Sequence, residues 1–339
     1  MKKKSIYVIA EAGTNWKIGS YKHDLDEAKK MIRIAAKLGA DAIKFQSFNP
    51  EKLYAQNAGH SKYLQKSGIY EDVNKMFRNL SMKPEMIPEL FYECKKNSID
   101  FLSSVFSVED AKLVDPYVKF HKIASYEINH TRLLEYMNSI KKPLIISTGA
   151  STIKEIKYAL SKLKNKKKII LLQCTSSYPC PVDELNLNAI VGLKKEFKLP
   201  IGLSDHSSDP VIAPITAIAL GAKIIEKHFT LDKKRKGPDH KFSLNPEEFK
   251  IMIESIRNVE KSLGSEKKRV YKIENELRLF AKRKLHATKQ IEIGDYFSEG
   301  VNFDILRSGI QKPGLNPRFI DKINGKKSKK RFKIGEGIV

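Results

Sequence analysis

The sequence predicts an α/β protein: a (β/α)8 TIM barrel followed by a small β-rich C-terminal domain. Three observations lead there. Short β-rich runs alternate with amphipathic stretches from residue 5 to about residue 263, eight of each. No Gly-x-Gly-x-x-Gly follows the first run, which weighs against the runner-up, a doubly wound open sheet. After Gly264 the texture changes to short β runs broken by Gly, Asn and Pro turns.

In chain order the runs are Ile6–Ala10, Ala42–Phe45, Asp100–Ser104, Lys119–Ile123, Pro143–Ser147, Ile169–Cys174, Pro200–Ser204 and Lys223–Lys227. The stretches after them are "DEAKKMIRIAAKLG", "MIPELFYECKKN", "VEDAKLV", "TRLLEYMNSI", "IKEIKYALSKL", "NAIVGLKKEF", "VIAPITAIALG" and "PEEFKIMIESIRNVEKSLG". A polar, tyrosine-rich insertion, residues 50–83, separates the second run from its helix and reads as a loop placed to line one end of the pocket. The barrel is placed at 1–264, a charged linker at 265–279 and the β-rich domain at 280–339. Inside that last domain "KQIEIGDYF" and "KRFKIGEGI" look alike.

With 339 residues, 41% of them hydrophobic, the chain has room for one barrel-sized core and a small second one. The net charge is +24, yet only eleven of the 63 basic residues are arginine and the lysines are spread along the whole chain. That pattern reads as solvated lysine faces, with no nucleic-acid partner; the field would still attract anionic substrates. No window approaches the roughly eighteen apolar residues of a membrane span, so no membrane partner is expected. Glu11 interrupts the short apolar run of "MKKKSIYVIAEAG", which reads as a first strand, not a signal peptide, and a cytoplasmic location is expected. Cys94, Cys174 and Cys180 share no CxxC spacing, so neither a disulfide framework nor a zinc knuckle is expected.

In such barrels chemistry lies at the C-terminal ends of the strands. Those ends carry Glu11 and Asn15; Lys44 and Gln46; Ser103 and Ser104; Lys122, Ser125 and Glu127; Ser147 and Thr148; Gln173, Thr175, Ser176 and Tyr178; Ser204, Asp205 and His206; and Glu226 and His228, with Asp239 and His240 in the next loop. Strand ends meet polar loops in any barrel, which accounts for the Ser and Thr. It accounts poorly for Lys44, Lys122 and Glu127, because a charge in apolar texture costs several kcal/mol unless paired. Lysines with several hydroxyls suit a phosphate or carboxylate. Glu11, Glu127 and Asp239 suit proton transfer or sugar hydroxyls. His206 and His228, on neighbouring strands, are either plain hydrogen-bonding residues or two ligands of a divalent transition metal. His60 reads as a solvated loop residue and His121 as structural.

The motifs "IAEAGTN" (9–15), "DAIKFQ" (41–46), "KIASYE" (122–127), "IISTGA" (145–150), "QCTSSYP" (173–179), "GLSDHS" (202–207), "EKHFT" (226–230) and "GPDHKFS" (237–243) together resemble the signatures of the sialic acid synthases, a family that includes the pseudaminic and legionaminic acid synthases. The resemblance covers nearly the whole chain, in order. It implies that the C-terminal domain is antifreeze-like (SAF) and caps the barrel of the partner in a domain-swapped homodimer. It implies a reaction joining phosphoenolpyruvate to an N-acetylated amino-sugar, with C–O cleavage, loss of phosphate and a divalent metal, Mn2+ or Mg2+. It assigns His206 and His228 to the metal. Lys44, Gln46, Ser104, Lys122, Ser125, Ser147 and Ser204 fall to phosphoenolpyruvate, Glu127, Tyr178 and Asp239 to the sugar, and Glu11 to the reacting carbons.

Three positions depart from the family pattern. Trp16 follows Asn15 where a histidine is usual, Ser176 stands where an asparagine is frequent, and "QKPG" puts Lys312 where an arginine enters the partner's site, with Arg307 nearby. A lysine does not replace the bidentate fork of an arginine. Ala124 and Tyr126 lean toward the pseudaminic or legionaminic branch. The competing readings are a condensing enzyme for phosphorylated aldoses, disfavoured because the strand ends hold no arginine, and a catalytically inactive sugar- or phosphoenolpyruvate-binding protein, disfavoured by the retained lysines and histidines.

Overall fold

The computed structural model describes residues 6–66 and 68–339, which divide into two compact units at Gly264. In the first, eight parallel strands form a closed barrel in sequence order: β1 (Tyr7–Gly13), β2 (Ala42–Ser47), β3 (Asp100–Val105), β4 (His121–Ile123), β5 (Leu144–Ser147), β6 (Ile169–Cys174), β7 (Ile201–Asp205) and β8 (Ile224–His228). Pairing of Tyr7 with Ile224 through Glu11 with His228 closes the ring. Helices cover the outside; residues such as Ala28, Met31, Ile32 and Ala35 of the helix Tyr21–Leu38 recur at helical spacing and are fully buried. Among the described residues no helix is long and apolar enough to cross a membrane.

The barrel interior is layered, because side chains on a strand alternate between its two faces. Ile9, Ala42, Leu102, Ile145, Leu172 and Ile224 form one apolar cluster, with Tyr7, Phe120 and Ile170 against it. Gly202 belongs to the same level: a Cβ there would fall 2.5 Å from Leu172 and 2.6 Å from the Ile224 carbonyl. Two residues further along each strand stand Glu11, Lys44, Ser104, Lys122, Ser147, Cys174, Ser204 and Glu226, all buried. One period of the pleat separates a dry plug from a polar layer.

The strands differ from the sequence expectation at their ends. β1 runs three residues past Ala10, with a register shift between Glu11 and Gly13, where Gly13 takes φ +51°. β4 is shorter than expected, starting at His121, and β8 extends to His228. Glu11 and His228 therefore lie inside strands, one residue past the ends expected from apolar texture, as the other polar interior residues do within the expected runs. The insertion is likewise no simple loop. Helices Lys62–Lys66 and Val73–Leu80 bury Leu64, Val73 and Met76 in a core of their own. Phe48, just beyond β2, fastens this lobe by edge-on contacts to Phe77 at 5.5 Å and to Phe106 at 5.6 Å.

The second unit, Ser265–Val339, contains the antiparallel pair β9 (Arg283–Ala287) and β10 (Phe303–Arg307) over a core of Leu285, Ala287, Ile291, Phe297, Phe303, Phe332 and Ile338. The two similar sequence pieces meet here: Ile291 and Phe332 exchange reciprocal backbone hydrogen bonds of 2.9 Å. Gly294 and Gly335 turn the chain at equivalent points with φ +96° and +82°. Part of the stretch read as linker is the helix Asn275–Ala281, on which Leu277, Leu279 and Phe280 are exposed.

Candidate active site

The polar layer joins four charged groups. Lys44 Nζ lies 2.6 Å from Glu11 Oε2, donates to Ser104 Oγ at 2.9 Å and stands 3.8 Å from Glu226. Lys122 Nζ donates to Ser147 Oγ at 2.8 Å and to the Ile123 carbonyl, and stands 3.7 Å from Glu226. Ser204 donates to Glu226 at 3.0 Å, and Gln46 donates to Glu11 at 3.1 Å. Ser125 accepts from the Gly149 N–H at 3.0 Å, an approach that only glycine permits, since a Cβ at 149 would fall 2.2 Å from Ser176 Oγ.

Burial acts on each charge, and the neighbours decide the sign. Burial pushes Glu11 up to about 7 against the pull of Lys44. Burial also raises Glu226, but Lys122 and Lys44 outweigh it and hold that carboxyl below its usual range. Burial depresses Lys44, and Glu11 and Glu226 more than reverse this; for Lys122 burial prevails and its pKa is lowered. The layer thus offers lysine donors for an anion beside a carboxyl that exchanges its proton near neutral pH.

One level higher lie the two histidines, with ring centroids 5.4 Å apart. His206 Nδ1 sits 2.9 Å from the Thr175 carbonyl and carries a proton; burial depresses this imidazole, but Cys174 and that carbonyl more than reverse it and raise its pKa, so a metal at Nε2 would displace a proton there. His228 Nδ1 is buried without a hydrogen bond, 3.6 Å from Asp239. Burial and the charge of His206 keep His228 well below its usual pKa, hence neutral. Two neighbouring imidazoles, one neutral and one that gives up a proton on binding, fit a divalent transition metal. Among the described residues no group of three His, Cys, Asp or Glu could hold one, so substrate and water would complete the coordination.

Tyr178 lies over His206 at 4.2 Å, with Phe242 5.6 Å from Tyr178 and 4.9 Å from His228. Asn15 donates to the Phe229 carbonyl and to Ser243 Oγ, and Ser243 donates to the Asp239 carbonyl, tying the end of β1 to the loop that carries Asp239. Burial pushes Asp239 up to about 6. Trp16 is fully buried and donates to the Gly13 carbonyl, so it is a core residue.

Glu127 closes a short turn after β4, buried, with Oε2 unpaired. Burial lifts it from 4.5 to about 7, with Lys122 opposing. The folded protein therefore holds an extra proton between these values, and stability present below the lower one is lost as pH rises through the upper one. In the substrate-free protein this group should cost roughly 2–3 kcal/mol between about pH 5 and about pH 8. Thermal melts at both pH values should show a smaller pH-dependent loss in Glu127→Gln; equal slopes in parent and variant would refute the assignment.

The barrel thus gathers Glu11, Lys44, Gln46, Ser104, Lys122, Ser125, Glu127, Ser147, Tyr178, Ser204, His206, His228 and Asp239 around one mouth. Arg307 and Lys312 belong to the second unit, Arg307 at the end of β10, both exposed. Asp205, next to His206 in the chain, does not hold a histidine. It faces outward and binds Lys227 at 2.5 Å, and Lys227 also donates to Ser207 and to the Asp209 carbonyl. His121 pairs with Asp115 and His240 with Thr230, both buried, and His60 is exposed. Two further residues, to which the sequence motifs assign no role, belong to the site. Glu226 bridges both lysines; its signal was Glu-x-His, which puts it on the face of His228. Cys174 lies 3.7 Å from His206 Nδ1 and 3.5 Å from Ser125.

A parallel barrel whose mouth combines two buried lysines, several carboxylates and a histidine pair is suited to hold an anion and exchange protons. Residues 31–268 match the model of the NeuB family. The chain is 38% identical to the N,N'-diacetyllegionaminic acid synthase of Campylobacter jejuni, covering 99% of both chains. It is 35% identical to the pseudaminic acid synthase of the same species, covering 99% of this chain and 96% of that protein. The solved N-acetylneuraminic acid (sialic acid) synthetase of Leptospira borgpetersenii, in complex with citrate, superposes with a TM-score of 0.70 at 33% identity over 80% of this chain and 90% of that one. The chain belongs to the NeuB family.

Proposed function

We propose that this chain is a nonulosonic acid synthase, condensing phosphoenolpyruvate with the open-chain form of an N-acetylated amino-sugar to give a sialic-acid-like sugar acid and inorganic phosphate. The observation that carries the reading is the paired-lysine layer with Glu11 directly beneath the histidine and tyrosine layer. Lys44 and Lys122, with Ser104, Ser125, Ser147 and Ser204, hold the phosphate and carboxylate and stabilise departing phosphate. Tyr178, Asp239 and Glu127 hold the sugar so that its aldehyde carbon meets C3 of phosphoenolpyruvate. Glu11, which exchanges its proton near pH 7, takes one from the water that adds to C2; the C2–O bond then breaks and phosphate leaves. A divalent metal, Mn2+ or Mg2+, held by His206 and His228 would polarise the aldehyde oxygen. The two relatives matched over nearly their full lengths favour a di-N-acetylated 6-deoxy sugar over N-acetylmannosamine.

The second unit is read as the antifreeze-like domain of a domain-swapped homodimer, bringing Arg307 or Lys312 to the partner's site; exposed Ile273, Leu277, Leu279 and Phe280 support such a contact. The test is phosphate release from phosphoenolpyruvate with Mn2+ and each of three sugars: N-acetylmannosamine and the di-N-acetylated 6-deoxy precursors of legionaminic and pseudaminic acid. Release is expected with at least one. No release with any, and no Mn2+ binding, would favour the inactive binding protein.

A further inference from the structure

Three separate segments bring aromatic rings to the upper side of the mouth. Tyr178 follows β6, Phe242 lies in the loop after β8, and Tyr63 is carried by the helix Lys62–Lys66 of the insertion. The Tyr63 and Tyr178 ring centroids are 5.6 Å apart, the same separation as Tyr178 from Phe242. Burial raises the Tyr63 phenol above its usual range, and the Asp239 carboxylate adds to the effect, which places Tyr63 within electrostatic reach of a group assigned to the sugar.

The bland account is that Tyr63 rests on Tyr178 only to hold the insertion down. The lobe does not need that contact. Its core of Leu64, Val73 and Met76 is internal, Asp72 caps the helix Val73–Leu80 by accepting from Asn74 and Lys75 N–H groups, and Phe77 fastens it to Phe48. Tyr63 itself stays half-exposed at the edge of this core. A ring anchored at the edge of its own lobe, yet not buried within it, is suited to contact a ligand.

We infer that Tyr63 is a sugar-contacting, specificity-determining residue: with Tyr178 and Phe242 it forms an aromatic wall for the methyl-bearing substituents, acetamido or C6 methyl, of an N-acetylated sugar. This rests on the synthase reading above. Aromatic faces bind such apolar groups while Asp239 takes the hydroxyls.

The experiment compares the unaltered full chain with Tyr63→Ala and Tyr63→Phe. It measures phosphate release with phosphoenolpyruvate, Mn2+ and whichever of the three sugars the unaltered chain uses best. In Tyr63→Ala the KM for the sugar should rise about tenfold, while the KM for phosphoenolpyruvate stays within about twofold. Tyr63→Phe, which keeps the ring, should stay within about threefold of the unaltered chain for both. An unchanged sugar KM in Tyr63→Ala, or an equal rise in both KM values, overturns the role of Tyr63 alone. Absence of turnover by the unaltered chain with every sugar overturns the synthase reading and this inference with it.

Discussion

Lys122→Met should lower kcat/KM for phosphoenolpyruvate, read as phosphate release, by about a thousandfold, the scale on which a preorganised donor to developing charge acts. The same substitution destabilises the protein by about 3 kcal/mol, because Glu226 then keeps its charge in a buried layer with only Lys44 at 3.8 Å to oppose it. The two effects separate in the double variant Lys122→Met/Glu226→Gln. Removing the carboxylate restores charge balance, so most of the lost stability should return in chemical denaturation, while activity stays lost. Recovery of activity to within about tenfold in the double variant would show that Lys122 serves only to neutralise Glu226.

His206→Ala and His228→Ala should each reduce turnover by about a thousandfold or more and abolish Mn2+ binding in calorimetric titration. Their costs to the metal-free fold should differ. His206 donates to the Thr175 carbonyl, which after truncation keeps only its bond from the Ser177 N–H, a loss of about 0.5–1.5 kcal/mol, whereas His228 Nδ1 makes no hydrogen bond to lose. The melting temperature of His206→Ala should therefore fall further. Near-normal activity in both variants would sink the metal assignment.

The barrel was legible because alternation of β runs and helices is a local property, and because the polar residues interrupt otherwise apolar runs. What local texture hides is which face a residue takes. Asp205 and His206 are neighbours in the chain, but the pleat sends one out to Lys227 and the other into the mouth. Glu226 appeared in its strand from the start, yet its role depends on lysines from β2 and β4, and nothing in linear sequence joins the three. The insertion looked polar because its apolar core draws single residues, Leu64, Val73 and Met76, from two short helices. Trp16 and Lys312 could be recognised as departures from a pattern, but only the surroundings of Trp16 show that it is core.

The dry plug beneath the polar layer makes the pocket a blind well. Ile9, Leu102, Ile145, Leu172 and Ile224 seal its floor, so everything must enter and leave through the one mouth. On the synthase reading the lysines that receive phosphoenolpyruvate are the lower of the two tiers, and the sugar lies above them. Phosphoenolpyruvate then has to arrive before the sugar, and inorganic phosphate, seated at the bottom, has to wait for the nine-carbon acid to depart. On that reading the order of binding and release follows from which residue of each strand comes two places later.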